Sequence, residues 1–268
     1  MALDKRSEKI LNDVAPAWGV CDYCDFAEHI LPCRAASKIP ENSKSIITMI
    51  FPYYLGEETY ENSNISRYAV VPDYNNAMRE RLSDAAEKLA LINEGEQFVA
   101  FCGNSPFPEV VLAEKSGLGS KGINGLLLTR EYGSWVFIGE IVTTMKLEPS
   151  TPCGAVCDGC GKCISACPTG ALSRDGFDIT KCLSAISQQK ADLTPEQEKM
   201  IISTGCAWGC DICQKACPKN SHPRLTDIPE FLNDIKLCAE SGDDLKNRAY
   251  GWRGRKVIER NLKLFDDK

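Results

Sequence analysis

The chain has 268 residues, 43% of them hydrophobic, which is enough for a packed core in one large or two modest domains. Its net charge of −6 does not indicate nucleic-acid binding. The N-terminal sequence MALDKRSEKI lacks the apolar core of a signal peptide, and no apolar run reaches the roughly 20 residues that span a bilayer. We therefore expect a cytoplasmic protein without membrane contact, in which a cysteine-rich pattern indicates metal binding or catalysis instead of disulfides.

The N-terminal region predicts a helix followed by a buried strand. Apolar residues share one face of a short helix over residues 4–14. The continuous apolar run SIITMIF (45–51) is typical of a buried strand. Between them, Cys21 and Cys24 form a Cys-x2-Cys pair that leaves a redox role open. Core thiols are the simpler interpretation, because free cysteine packs as a small hydrophobe.

A longer helix follows Pro72 and Asp73. Its apolar residues recur at helical spacing on one face: Met78, Leu82, Ala85, Leu89 and Ile92. Asp73 stands at the N-cap position, where a carboxylate accepts hydrogen bonds from the free amides of the first turn.

Four further strands are predicted before residue 149: FVAF (98–101), EVVLA (109–113), LLLT (126–129) and SWVFIGEIV (134–142). The spacing between them leaves little room for the crossover helices that a parallel sheet needs. We therefore expect an α+β fold, with a mostly antiparallel sheet flanked by helices.

The segment EKSGLGSKGING (114–125) contains a G-x-G-x-x-G pattern formed by Gly117, Gly119 and Gly122. A dinucleotide-binding fingerprint requires a helix after these glycines. Here they lead into a predicted strand, so a nicotinamide site is disfavoured. A glycine-rich loop still lets the backbone approach a ligand closely.

The stretch from Cys153 to Pro218 predicts two 4Fe–4S clusters. Four cysteines spaced Cys-x2-Cys-x2-Cys-x3-Cys precede a proline, and a second group also ends in Cys-Pro, as in bacterial two-cluster ferredoxins. Structural zinc is the alternative, but it usually pairs two short spacings around one ion. Because the fourth cysteine of each run ligates the other cluster, the first ligand set is Cys157, Cys160, Cys163 and Cys217. The second ligand set is Cys167, Cys182, Cys210 and Cys213.

The region after the first cysteine group predicts local elements and a basic end. Arg174-Asp175-Gly176 indicates a turn, Thr194-Pro195 with Gln197 a helix with a capping box, and the chain after Pro223 further helix. Residues 245–264 carry seven cations against Glu259 alone. These cations either bind phosphates or offset the negative charge of the clusters. The expected domains are 1–148, 149–225 and 226–268.

Five segments together resemble the epoxyqueuosine reductases, the cobalamin-dependent enzymes of the last step of queuosine biosynthesis in tRNA. They are ISRYAVVPDYNN (65–76), residues 114–149 with the glycine-rich loop, CDGCGKCISACPTGAL (157–172), GCDICQKACPKN (209–220) and AYGWRGRKVIERNL (249–262). The cysteine segments alone indicate only a ferredoxin. The glycine-rich loop and the strand after it make the resemblance specific.

The resemblance implies a reductive enzyme with a cobalamin-processing or nitroreductase-like N-terminal domain. Clusters would pass electrons from an external donor, such as a ferredoxin or flavodoxin, to cobalamin. The glycine-rich loop would contact the cofactor through Lys115, Gly117, Gly119 and Gly122. Asp73 would act as the catalytic acid that protonates the oxygen leaving the epoxide. The substrate would be tRNA, held by the basic segment 245–264.

Three features depart from the family pattern. Asn75 stands where family members usually have histidine, and Ile123 follows Gly122 where they usually have lysine. The helical-repeat domain that many members carry after the clusters is not in this sequence. Two other functions remain open: a two-cluster electron-transfer protein without cobalamin, and a reductive dehalogenase-like enzyme.

Overall fold

A computed structural model describes residues 3–266 and divides the chain into two compact units. The sheet unit comprises the chain up to Pro52, Asn75–Gly122 and Leu126–Asp158. The cysteine-rich unit comprises Tyr53–Tyr74, Ile123–Gly125 and the chain from Gly159 onward. The units are therefore not contiguous in sequence, and the segment that contains Asp73 lies in the same unit as most of the cysteines.

The sheet unit is built on a four-stranded antiparallel sheet in the order β1-β2-β6-β3. Its elements are α1 (Lys5–Val14), β1 (Ala17–Asp22), β2 (Ser45–Pro52), α2 (Tyr74–Ile92), β3 (Phe98–Cys102), α3 (Glu109–Lys115), β4 (Ser120–Lys121), β5 (Leu127–Leu128) and β6 (Val136–Thr143). Strands β4 and β5 form a separate antiparallel pair. The expected α+β class and antiparallel pairing are confirmed.

Close packing of α2 on the sheet depends on Gly139 of β6. A Cβ atom at this position would lie 2.6 Å from Leu82 Cδ1 and 3.1 Å from Met78 Cε. Both helix residues belong to the predicted apolar face and are buried, as are Ala85 and Leu89. The missing side chain on the strand therefore lets the apolar face of the helix sit directly on the sheet.

The predicted strand at 109–113 is wrong, because this segment forms helix α3. Pro108 precedes the helix with φ −73°, and the Leu112 amide donates to the Pro108 carbonyl. The helix buries Leu112 and Ala113 against the sheet unit's core. Packing of these two side chains therefore overrides the local strand preference of the Val-Val pair.

A buried carboxyl group lies on β6 at Glu140. Its Oε1 accepts a hydrogen bond from the Ser105 hydroxyl, and its Oε2 has no hydrogen-bond partner among the residues described. Burial, followed by repulsion from the neighbouring Glu109 carboxylate, raises the pKa of Glu140. Burial also raises the pKa of Glu109, to about 7. The pair therefore binds a proton at neutral pH that an unfolded chain would release.

We expect Glu140→Gln to reduce the pH dependence of stability. In the wild type, the free energy of unfolding falls as pH rises from about 4.3, because only the unfolded state releases the proton. The slope is about 1.4 kcal/mol per pH unit for each such proton, until the folded pair also ionises. Glutamine stays neutral and still accepts the Ser105 hydrogen bond, so the slope should become smaller.

Hydrogen exchange of the β6 amides, corrected for intrinsic rates, measures this slope. Glu87→Gln, at an exposed position of α2, serves as the control and should keep the wild-type slope. Equal slopes in the wild type and Glu140→Gln would contradict the shared-proton interpretation.

The cysteine-rich unit is made of short helices joined by irregular segments. They are α4 (Lys162–Ala166), α5 (Leu183–Gln188), α6 (Pro195–Thr204), α7 (Ile212–Lys215), α8 (Pro229–Leu232) and α9 (Arg255–Lys263). The predicted capping box is confirmed, since the Thr194 hydroxyl accepts from the Gln197 amide and the Gln197 side chain accepts from the Thr194 amide. The predicted turn is confirmed by the hydrogen bond from the Ser173 amide to the Gly176 carbonyl.

The region after Pro223 is less helical than predicted. Within residues 224–266, only α8 and α9 form, apart from the short 3-10 turn Ala249–Gly251, and residues 233–248 are irregular. Positive φ angles at Asp234 (56°) and Asn247 (60°) are incompatible with a continuous right-handed helix.

Candidate iron–sulfur centres and the Asp73 segment

The second ligand set comes together within the cysteine-rich unit. Burial, and among smaller causes the neighbouring thiols of Cys182 and Cys167, raise the pKa of Cys210 to about 11. Burial and then the thiols of Cys210 and Cys182 raise the pKa of Cys213 to about 12. Such effects require short separations, so the thiols of Cys167 and Cys182 lie near that of Cys210, and those of Cys182 and Cys210 lie near that of Cys213.

Two short helices that pack together each contain one predicted ligand, one from each set. Helix α4 contains Cys163 and packs against α7, which contains Cys213. At the ends of the two helices, the Cys167 amide donates to the Ile164 carbonyl and the Cys217 amide to the Gln214 carbonyl. Each Cys-Pro turn therefore begins at the end of one of two helices that pack together, and exchange of the fourth ligand between the clusters stays a prediction.

Two glycines in the left-handed region flank Cys160 of the first ligand set. Gly159 and Gly161 alternate with the ligands and have φ angles of 69° and 75°, so the chain curls in a way that favours glycine. Cys160 and Cys163 lie in the cysteine-rich unit, whereas Cys157 is assigned to the sheet unit. The Cys157 amide donates to the Ser120 hydroxyl at 3.4 Å.

These thiols suit 4Fe–4S clusters in number, chemistry and spacing. A cluster would take one thiolate per iron, four from each ligand set. Among residues 3–266, no three His, Cys, Asp or Glu side chains are close enough to hold a single metal ion.

Asp73 lies in an irregular segment at the start of α2. Its side chain is partly exposed, and its amide donates to the Asn247 carbonyl at 2.9 Å. The preceding Pro72 forms an isolated antiparallel bridge with Arg248. Helix α2 begins at Tyr74, one residue after Asp73, where the sequence placed the helix start. The capping and catalytic roles of the carboxylate both remain predictions.

The glycine-rich loop packs on its own chain. A Cβ atom at Gly117 would lie 2.4 Å from the Thr151 carbonyl oxygen, and one at Gly119 would lie 2.4 Å from that of Leu128. The protein backbone thus occupies the space that these glycines leave. They do not fit an open cradle for cobalamin, so we derive no step through that cofactor.

The other two residues predicted to bind cobalamin are Gly122, which lies in a hydrogen-bonded turn, and Lys115, which lies on the surface. The Gly122 amide donates to the Leu126 carbonyl at 2.8 Å and closes the turn between β4 and β5. Lys115 ends α3, is exposed, and lines a surface groove with Phe26, His29 and Val111. A helix does not follow the glycines, as expected from the disfavoured dinucleotide site.

Sequence reasoning missed a cluster of polar side chains in the cysteine-rich unit. Arg67 is 4% exposed, forms an ion pair with Glu57, and places its Cζ 4.8 Å from the centroid of the Tyr60 ring. The half-buried Asp211 carboxylate accepts hydrogen bonds from the Ser66 hydroxyl and the Arg67 amide. The local signal was an arginine inside the otherwise apolar ISRYAVV run, but its partners are distant in sequence.

The basic segment 245–264 is only partly available to a ligand. Arg248 donates to Asp234, Arg255 to the Asp243 carbonyl and Glu259, and Arg260 to the carbonyls of Gln189 and Ala191. The exposed cations that remain are Lys246, Lys256 and Lys263. Residues 3–266 contain no helix that is both long and apolar enough to cross a membrane.

Comparison with protein families gives two matches. Residues 156–220 match the 4Fe-4S double cluster binding domain, and residues 34–102 match epoxyqueuosine reductase QueG, DUF1730. The epoxyqueuosine reductase of Lactococcus garvieae is 33% identical over 241 residues, covering 83% of this chain and 68% of that protein. The epoxyqueuosine reductase of Gloeobacter violaceus is 38% identical over 218 residues, covering 76% of this chain and 68% of that protein. The chain spans 53% of the Listeria monocytogenes enzyme, to which it is 33% identical.

Solved structures show the same fold at lower identity. A selenomethionine-labelled epoxyqueuosine reductase has a TM-score of 0.82 and 23% identity, covering 97% of this chain and 80% of that one. An epoxyqueuosine reductase with an epoxyqueuosine-modified tRNA-Tyr stem loop has a TM-score of 0.81 and 22% identity, with the same coverage. A catabolic reductive dehalogenase reaches a TM-score of only 0.50 at 16% identity, and this chain covers 35% of it.

Proposed function

Because the chain belongs to the epoxyqueuosine reductase family, whose members are reductases, we propose that it reduces epoxyqueuosine to queuosine in tRNA with electrons from two 4Fe–4S clusters. The family match supports the proposal most directly, and the structure places Cys167, Cys182, Cys210 and Cys213 in one compact unit. Removal of the epoxide oxygen to leave an alkene and water consumes two electrons and two protons. An external donor such as a ferredoxin or flavodoxin would supply the electrons, which the clusters carry singly.

Asp73 would supply one of the two protons. A protonated carboxyl can donate to the epoxide oxygen as the carbon–oxygen bond breaks, so that a neutral hydroxyl forms instead of an alkoxide. The hydrogen bond from the Asp73 amide to Asn247 and the start of α2 at the next residue would fix the position of this carboxyl.

Cobalamin stays in the proposal through the family resemblance alone. Cobalamin would supply redox chemistry at its cobalt. Gly117 and Gly119 have no role in binding it, because the carbonyl oxygens of Thr151 and Leu128 occupy the space beside them. We expect the absorption spectrum after anaerobic incubation with cobalamin and desalting to keep a corrinoid band if the cofactor binds.

Direct assay of the nucleoside product tests the function. The protein, purified anaerobically, is incubated with an epoxyqueuosine-containing anticodon stem loop, cobalamin and a low-potential reductant, and digested RNA is analysed for queuosine. Formation of queuosine supports the proposal. Reduced clusters without queuosine and without retained cobalamin would favour an electron-transfer protein, and halide release from an aryl halide would favour a dehalogenase-like enzyme.

Trp252 offers a place for RNA within the basic segment. Its side chain is 58% exposed, and the Arg253 Cζ lies 3.6 Å from its ring centroid. Lys256, on the first turn of α9, is exposed nearby in sequence. Exposed aromatic rings beside cations are what unpaired bases stack on in single-stranded RNA.

We therefore expect Trp252→Ala to weaken binding of the stem loop by roughly tenfold or more, since stacking contributes about 1–3 kcal/mol per base. Trp252→Phe keeps an aromatic face and should retain most of the affinity. Leu225→Ala removes another exposed apolar side chain of the same unit and serves as the control. Fluorescence anisotropy of a labelled stem loop measures the affinity, and equal affinity of wild type and Trp252→Ala would exclude stacking.

A further inference from the structure

The segment 64–73, which ends at Asp73, is hydrogen-bonded to the loop 206–211, which ends next to cluster ligand Cys210. The Ala207 amide donates to the Asn64 carbonyl at 2.7 Å, and the Ser66 amide donates to the Trp208 carbonyl at 2.8 Å. Ile65 and Trp208 form a parallel bridge. The two segments therefore pair like a short piece of sheet, although more than 140 residues separate them in sequence.

Side chains strengthen this pairing. The Asp211 carboxylate accepts from the Ser66 hydroxyl at 2.5 Å and from the Arg67 amide at 2.8 Å. The Trp208 indole N–H donates to the Tyr68 hydroxyl at 2.8 Å. Gly209 allows the close approach, because a Cβ atom there would lie 2.4 Å from Ser66 Cβ. A substitution in either segment would therefore change the contacts of the other.

The other end of the segment is held by the C-terminal part of the chain. The Lys236 amide donates to the Val70 carbonyl at 3.0 Å, and the Asp73 amide donates to the Asn247 carbonyl at 2.9 Å. Between these contacts, residues 67–69 form a single 3-10 turn. The segment has little regular structure of its own, so its conformation depends on these outside contacts.

Asp211 occupies the central position of this arrangement. It directly follows Cys210, precedes Cys213 by two residues, and is half-buried and hydrogen-bonded to segment 64–73. Its two hydrogen bonds are donated by consecutive residues, Ser66 and Arg67. A cluster that fixes the backbone at Cys210 and Cys213 would also fix this carboxylate and the segment that it holds.

We propose that Asp211 is a positioning residue that couples the loop of the second cluster to the segment carrying Asp73. Through Ser66 and Arg67, the cluster loop sets the conformation of that segment. By linkage, a change in the segment also changes the surroundings of the cluster. The effect on turnover rests on the proposed function, but the coupling itself does not.

Two readouts that need no substrate test the coupling. Hydrogen exchange of the amides in 64–73 reports how firmly the segment is held, and the electron paramagnetic resonance spectrum of the reduced protein reports the cluster surroundings. Ser66→Ala removes one hydrogen bond to Asp211 without changing any residue of a cluster loop. Asp211→Ala removes both bonds, and Asp211→Asn keeps an acceptor oxygen. Asp227→Ala, at an exposed position paired with Arg224, is the control.

We expect Ser66→Ala to keep the wild-type iron content and to change the cluster spectrum. It should also speed hydrogen exchange in residues 64–73 by roughly tenfold, because one hydrogen bond that holds the segment is lost. Compared with Ser66→Ala, Asp211→Ala should speed exchange in residues 64–73 more and Asp211→Asn should speed it less, whereas Asp227→Ala should leave the exchange rate unchanged. If Asp211→Ala loses iron, the test of the coupling between segment 64–73 and the cluster loop depends on Ser66→Ala alone. Unchanged exchange in Ser66→Ala would overturn the proposal, and faster exchange with an unchanged spectrum would overturn the coupling to the cluster. If the wild type forms no queuosine, the proposed function fails while these readouts still decide the coupling.

Discussion

We expect Cys182→Ser to lower the iron content from about eight to about four atoms per chain and to abolish turnover. Cys182 is the ligand that stands outside both cysteine runs, at the N-cap of α5. The substitution should therefore damage only the cluster of Cys167, Cys210 and Cys213. Electrons could no longer pass through both clusters, so the loss of activity should be complete. Iron and acid-labile sulfide analysis after anaerobic purification measures the change.

Cys238→Ser provides the matched control. Cys238 is partly exposed in the same unit, and its thiol donates to the Asn62 carbonyl, outside both ligand sets. This variant should keep about eight irons per chain. Equal loss of iron in the two variants, or stoichiometric zinc in the wild type in place of iron, would contradict the ligand assignment.

The double-cluster domain could be predicted from the sequence because cluster chemistry requires short, fixed spacings. The loops around Cys160 and Cys213 each present ligands within a few residues, and their pattern needs no knowledge of the rest of the fold. The start of α2 was predictable for the same reason, since one apolar face and a break before Tyr74 are local signals.

The contacts of Asp211 and the helical state of 109–115 could not be predicted in this way. Ser66 and Asp211 meet only after the chain has folded, and nothing near either residue in sequence identifies its partner. For α3, the Val-Val pair favours a strand locally, whereas burial of Leu112 and Ala113 against the core decides for helix. Tertiary packing therefore determined both features.

We expect Asp73→Asn to keep the fold, the clusters and RNA binding but to lower the rate of queuosine formation by roughly 10²–10⁴-fold. Asparagine caps a helix about as well as aspartate, so α2 should begin at the same residue. The hydrogen bond from residue 73 to Asn247 uses the backbone amide and is unaffected by the substitution. Only the capacity to donate a carboxyl proton is lost.

Asp84→Asn separates this effect from a general change in charge. Asp84 lies on α2, is exposed, and pairs with Lys88 one turn later, so its variant should keep the wild-type rate. Single-turnover formation of queuosine, at matched iron content, compares the three proteins. A wild-type rate in Asp73→Asn would leave Asp73 with the N-cap role alone and would require another proton donor. A slow rate together with an intact α2, shown by unchanged hydrogen exchange in residues 74–92, would assign proton transfer to Asp73, because capping and folding would then be the same in all three proteins.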